Sequence, residues 1–184
     1  MNEEIELAQM EMEEAVNAFR HELSRVRTGR ASTALLENLY VNYYGTRTPL
    51  RQLAGLAAPE ARLLVVTPYD KGAMGEIEKA IQTSDLGLNP MNDGKVIRIP
   101  IPALTDERRK ELSRHVHKLT EDGRNSVRQV RRDANERLKK LLKDRKISED
   151  DEKKGLDEVQ KITDSHIKQI DELQRKKDQE LLGK

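Results

Sequence analysis

The chain has 184 residues, of which 35% are hydrophobic, 36% charged and 3% aromatic, with a formal net charge of +1 and no cysteine. The missing cysteine excludes disulfides, thiolate nucleophiles and cysteine-bound zinc. So little apolar material argues against one thick globular core, which would have to offset ~1–2 kcal/mol of backbone entropy per residue.

Long helices need only a narrow apolar seam, and the chain begins with one. Over residues 3–27, Ile5, Ala8, Met12, Ala15, Phe19, Leu23 and Val26 recur in steps of three and four. That spacing predicts a helix, with Asn2 as N-cap, Glu3, Glu4 and Glu6 at the positive end of its dipole, and Gly29 at its stop. Between residues 31 and 104 the pattern changes, and all six prolines lie in this stretch. Leu39–Tyr44, Leu63–Thr67 and Val96–Ile101 read as strands, with a short helix over 71–84 and turns at Asn89-Pro90 and Asn92-Asp93-Gly94. Helical spacing then returns. Thr105 is the candidate cap of a helix whose seam runs through Leu112, Val116, Leu119, Gly123, Val127, Val130, Ala134, Leu138 and Leu141. A tight break at 146–150, with Ser148 capping and Asp151 three residues on, starts a third helix. Its seam is Leu156, Val159, Ile162, His166, Ile170, Leu173 and Leu181. The three helices would be roughly 38, 60 and 50 Å long.

These lengths and the tight break predict an α+β chain, an elongated three-helix bundle with a small inserted β/α/β domain. The bundle takes 1–29 and 105–184, and the insert takes 31–104. Two crossings, 28–31 and 102–105, resemble a two-stranded hinge built from Gly29, Arg30, Pro102, Ala103 and Leu104. Short paired crossings make relative motion the default expectation.

The small net charge conceals a polarised distribution. Residues 1–23 carry seven acids and one base, net −6, whereas residues 124–146 carry ten bases and three acids, net +7. An acidic N-terminus fits neither a signal peptide nor a transit peptide. No apolar run approaches the ~20 residues that span a bilayer. A soluble, cytoplasmic protein with no membrane partner is expected.

Catalytic signatures are weak. His115 and His117 point to opposite sides of a helix, and His166 falls on a seam, where a packed histidine is the expected reading. Gly72-Ala-Met-Gly75 lacks the Gly-Lys-Ser/Thr of a phosphate loop and the third glycine of a dinucleotide site, so it reads as a tight turn. No enzyme activity, metal or cofactor is expected.

The basic block carries more information. At 100° per residue, Arg124, Arg128, Arg131, Asn135 and Lys139 fall in one band about 80° wide, with Arg132 at its border. Guanidinium forks in such a strip match a phosphate backbone. Arg25, Arg27 and Arg30 form a second patch, with cations at a helix C-terminus as the competing explanation. With four Tyr, one Phe and no Trp, stacking platforms for single strands are not expected. Recognition of shape and phosphate is favoured over sequence.

Several stretches carry a resemblance. Arg27-Thr-Gly-Arg-Ala31, Tyr43-Tyr-Gly45, Thr48-Pro-Leu-Arg-Gln-Leu53 and Ser84-Asp-Leu-Gly-Leu-Asn-Pro90 resemble the ribosome recycling factor family. So do Leu104-Thr-Asp-Glu-Arg-Arg-Lys110, Val130-Arg-Arg-Asp-Ala-Asn135 and Ile147-Ser-Glu-Asp-Asp151. They follow the family's order and span the whole chain. The resemblance implies a three-helix bundle and a small β/α/β domain on a two-stranded hinge. It also implies a factor that binds the post-termination ribosome and, with elongation factor G and GTP, splits the subunits for reuse. In the family the bundle binds large-subunit ribosomal RNA through an arginine of the Val-Arg-Arg-Asp-Ala-Asn motif. Here that is Arg131 or Arg132, with Arg128 one turn earlier, and Arg131 ranks first because it lies inside the basic band. Arg27 and Arg30 rank second. The competing class is a coiled-coil structural or adaptor protein binding a polyanion. It predicts self-association through an exposed seam, whereas a recycling factor is expected to be a monomer.

Overall fold

The computed structural model describes residues 1–183. Packing divides the chain into two units, one of Met1–Thr28 with the segment from Asp106 onward, the other of Gly29–Thr105.

The first unit is three helices, α1 (Asn2–Ser24), the long α4 (Asp106–Lys143) and α5 (Glu149–Leu181). Their apolar stripes face one another and bury Ala8, Met12, Val16 and Phe19 of α1 against Val116, Val127 and Leu138 of α4 and Val159 and Ile170 of α5. Small residues let the helices close. A Cβ on Gly123 would sit 3.3 Å from the Phe19 ring, and one on Gly155 would sit 3.1 Å from a Leu138 methyl. Two seam residues are polar and were not predicted there, Thr120 and Thr163, both fully buried. Each satisfies its hydroxyl on its own helix, donating to the carbonyls of Val116 (2.8 Å) and Val159 (2.7 Å). A threonine that bonds the preceding turn packs through its methyl, so it can occupy a seam. His166 lies in the seam as expected, 7% exposed, its Nδ1 2.7 Å from the Ile162 carbonyl.

The ends of α1 differ from expectation. Met1 holds the cap position and no side chain caps the helix, so Asn2 lies inside it. The Met1 carbonyl accepts from Glu4 and Ile5, and the capping role therefore falls one residue earlier. The helix closes at Ser24, not at Gly29. Arg25 and Val26 donate to carbonyls three residues back, tightening the last turn before the chain leaves it.

Ser148 caps α5 as the sequence predicts. Its hydroxyl accepts from the Asp151 amide (3.1 Å), and the Asp151 carboxylate accepts in return from the Ser148 amide (3.2 Å). Reciprocal satisfaction of two orphan donors defines a capping box. Ser148→Ala is expected to cost ~1 kcal/mol of stability. The check is a lowered midpoint in chemical denaturation of the variant against the parent.

The second unit combines a hairpin, a four-stranded sheet and two α-helices, one of them a single turn. β1 (Tyr40–Tyr43) pairs antiparallel with β2 (Thr46–Pro49). After a single turn of helix, α2 (Leu50–Leu53), come β3 (Ala54–Glu60), β4 (Leu63–Pro68), α3 (Met74–Gln82), β5 (Met91–Asn92) and β6 (Ile97–Pro100). The second sheet runs β3-β4-β6-β5, every pair antiparallel. Alternation buries Leu64 and Val66 of β4 and Ile97 and Ile99 of β6 against Met74, Ile77 and Ile81 of α3. β2, β3 and β5 were not predicted. β3 reads Ala-Gly-Leu-Ala-Ala-Pro-Glu, poor strand material that works only at an edge, where its register shifts between Ala57 and Glu60 around Pro59.

Both chain segments that enter this unit are tied to one turn. The Ala31 amide donates to the Ala61 carbonyl (2.7 Å), and the Ile101 amide donates to the Arg62 carbonyl (2.8 Å). Just outside those bonds Gly29 takes φ +72°, and a Cβ there would lie 2.9 Å from Leu104 Cγ. Only glycine fits both the left-handed backbone and the close approach.

Candidate nucleic-acid interface

The basic block sits on α4, whose inward side is fixed by the bundle core. Once α1 and α5 are packed, the arginines of the block divide into two groups. Arg137 turns inward. Its guanidinium meets Glu11 at 3.2 Å and lies 2.7 Å from Glu4, at ion-pair distance though off hydrogen-bond geometry for Nε. Arg124 is also held inside the bundle. It donates through Nε (2.9 Å) and Nη2 (2.6 Å) to Asp171 of α5, pairs with Glu121, and has a side chain only 24% exposed. The Asp171 hydrogen bond, against a smaller opposing effect of burial, raises the Arg124 pKa further above its ordinary value. The structure therefore gives Arg124 an interhelical role, although its angular position belongs to the basic band.

The remaining predicted residues face outward or stand at the edge of the bundle. Arg128 is half-buried and donates to Asn125 at 3.4 Å. Arg132 is exposed and donates to Gln129 at 2.5 Å. Lys139 pairs with Glu136 at 3.1 Å, both largely exposed. These are partners within one turn of the same helix, which exposed side chains exchange at little cost. Arg27 and Arg30 are exposed in the segment that follows α1.

Arg131 differs from all of these. It is half-buried, yet its guanidinium has no ion pair or hydrogen bond with any other described residue. One turn on, the Asn135 Oδ1 is buried without a hydrogen-bond partner. A charged fork and an amide oxygen left unsatisfied at adjacent turns carry a desolvation cost, which an external ligand could repay. Arg131 offers two parallel donors to a phosphate, and Arg128 and Arg132 flank it with further positive charge.

Among the described residues no group of three or more His, Asp or Glu is placed to hold a metal. Among the described residues no helix is long and apolar enough to cross a membrane. Asp70 organises the turn after β4. It caps a 3-10 turn, Lys71–Ala73, by accepting from the Gly72 amide (2.8 Å), and this turn feeds α3.

Comparison with known proteins agrees with this architecture. Residues 19–182 match the family model described as ribosome recycling factor. The ribosome-recycling factor of Geobacillus kaustophilus is 53% identical over 178 residues, covering 97% of this chain and 96% of the relative. That of Carboxydothermus hydrogenoformans is 54% identical over 176 residues, covering 96% and 95%. A solution structure of a ribosome recycling factor superposes with a TM-score of 0.79 at 42% identity, covering 100% of this chain and 97% of the other. A second structure is of the T. thermophilus ribosome recycling factor and E. coli elongation factor G bound to the E. coli post-termination complex. It matches with a TM-score of 0.67 at 47% identity, covering 99% and 98%. With matches that run through both units at this level of identity, the chain belongs to the ribosome recycling factor family.

Proposed function

We propose that this protein binds the post-termination ribosome in the cytoplasm and, with elongation factor G and GTP, separates the subunits for reuse. The observation that carries the reading is the T. thermophilus relative. It is bound with elongation factor G to a post-termination complex and corresponds to this chain over 99% of its length. In the mechanism we infer, the helical unit grips large-subunit ribosomal RNA through Arg131, with Arg128 and Arg132 beside it and Lys139, Arg27 and Arg30 as outer contacts. Arg131 leads because its half-buried guanidinium has neither an ion pair nor a hydrogen bond with any described residue. The protein hydrolyses nothing itself, and the GTPase supplies the driving force. Gly29, Arg30, Pro102, Ala103 and Leu104 act as the hinge between the inserted domain, 31–104, and the helical rod, 1–29 with 105–184.

Internal satisfaction of the seams supports a monomer over the coiled-coil adaptor. Met12, Val16, Leu138, Val159 and Ile170 are all essentially inaccessible within one chain, so the seam that a coiled coil would share is already covered. The direct test is sedimentation of post-termination ribosomes with and without the protein, elongation factor G and GTP. Free subunits are expected only when all three are present, and intact ribosomes under that condition would overturn the reading. The affinity of the protein for ribosomes should also fall as salt rises, because each phosphate contact adds about 0.7–0.9 to the slope of log K against log salt. A flat salt response would remove the phosphate-gripping role.

A further inference from the structure

The four tyrosines all lie between residues 40 and 69, in the small unit. Its core uses only Tyr43, which packs half-buried at its margin. That core is built from Leu, Ile, Val, Met and Ala, whereas Tyr40, Tyr44 and Tyr69 are 48, 78 and 73% exposed. Large aromatic rings left in water in a chain with only 3% aromatics call for an explanation outside folding.

Two of the three exposed rings belong to the β1–β2 hairpin. In its register Tyr40 faces Pro49 and Asn42 faces Arg47, so Tyr40, Asn42 and Arg47 share the outward side while Val41 points into the core. Arg47 reaches diagonally across, placing its guanidinium carbon 4.3 Å from the centre of the Tyr40 ring. The result is a flat cation on a flat ring, both solvent-exposed. At the tip, Tyr44 and Gly45 make a two-residue turn with φ +48° and +81°. The first position of such a turn favours Asn, Asp or Gly. A tyrosine there accepts backbone strain, and its ring packs edge-on against Tyr43 with centroids 4.5 Å apart.

Charge selects the partner. From residue 38 to residue 59 the chain carries Arg47 and Arg51 and no carboxylate, although 33 acids are spread over the 184 residues. The carboxylate that does approach from outside, Asp70, stays ionised at the hairpin tip, held by the Gly72 amide and the Tyr43 hydroxyl, each at 2.8 Å, and by the Tyr44 hydroxyl at 3.5 Å. Its pKa is lowered by those bonds, the Gly72 amide first. A cationic face with exposed rings is matched to nucleobases and phosphates.

We propose that this hairpin is a second RNA-binding surface, which takes an unpaired base on the Tyr40–Arg47 stack. The base continues the stack on the open face of the guanidinium, whose donors reach its phosphate. Asn42 offers an amide to the base edge, and Tyr44 gives the next nucleotide a second ring. The inference rests on the proposed ribosome-binding function only for the source of the RNA.

The test uses the full-length protein with Tyr40→Leu, Tyr40→Phe and Arg47→Gln, titrated onto a short oligouridylate. Tyr40→Leu and Arg47→Gln are expected to bind about fivefold or more weakly, and Tyr40→Phe like the parent, since stacking needs the ring and not the hydroxyl. On ribosomes, ultraviolet irradiation is expected to join the Tyr40–Arg47 peptide to a nucleotide. The proposal is overturned if the parent does not bind oligouridylate, or if Tyr40→Leu binds it equally well. It is also overturned if the peptide cross-links only to a ribosomal protein. Should the parent fail to bind ribosomes while the oligouridylate results hold, the proposed function falls and the hairpin surface stands.

Discussion

Cysteines placed at Arg30 and Ala103 and joined by a short bis-maleimide are expected to leave ribosome binding at the level of the same double variant before cross-linking while abolishing subunit splitting. The two crossings run close enough to be tied, since a Cβ on Gly29 would lie 3.6 Å from the Leu104 amide nitrogen. Gly29 at φ +72° occupies backbone space that other residues avoid. Pro100 and Pro102 hold the opposite segment extended, each fixing its own φ and restricting the residue before it. If elongation factor G moves the inserted domain while the helices stay on the RNA, tying the crossings removes the motion and spares the grip. The native chain has no cysteine, so the added pair reacts alone. Splitting at the parental rate by fully cross-linked protein, measured by sedimentation, would remove hinge motion from the mechanism.

Arg131→Ala is expected to weaken ribosome binding by about tenfold to a hundredfold, the value of one charge-assisted bidentate contact of roughly 1.5–3 kcal/mol. Its effect on folding should stay near ~0.5 kcal/mol, because no described residue depends on its guanidinium. Arg124→Ala should do the reverse. Removing it leaves Asp171 and Glu121 without their shared cation, at a cost of ~1 kcal/mol in stability for a partly exposed network. Its ribosome affinity should stay within a few-fold of the parent. Parallel titration and denaturation of the two variants check the assignment, and equal losses of affinity would dissolve the distinction drawn between these two arginines.

That distinction marks the boundary of what the sequence reveals. The angular position of every basic side chain on α4 follows from 100° per residue, so the band itself can be drawn from the sequence. Which of its members are neutralised depends on neighbours far away in the chain. Arg124 meets a carboxylate 47 residues on, and Arg137 meets one 126 residues back. No local pattern predicts those encounters. The same reasoning separates the elements found from those missed. The three helices repeat one physical signal over many turns, and Ser148 with Asp151 marks a helix start through atoms only three residues apart. Thr120 and Thr163 escaped because a hydropathy pattern counts a hydroxyl as polar even where the preceding carbonyl absorbs it. β3 escaped because Gly, Ala and Pro carry little strand preference, and an edge position demands little. The Tyr40–Arg47 stack escaped because a count of aromatics says nothing about which of them face water.

The small unit also has a mechanical consequence. Ala31 and Ile101, the first and last residues fastened to it, hydrogen-bond to neighbouring carbonyls of the same β3–β4 turn, those of Ala61 and Arg62. That turn works as a common anchor plate. Because the two bonds go to adjacent residues, both ends of the insert are pinned side by side, and neither can peel away from the sheet without breaking a bond at that one turn.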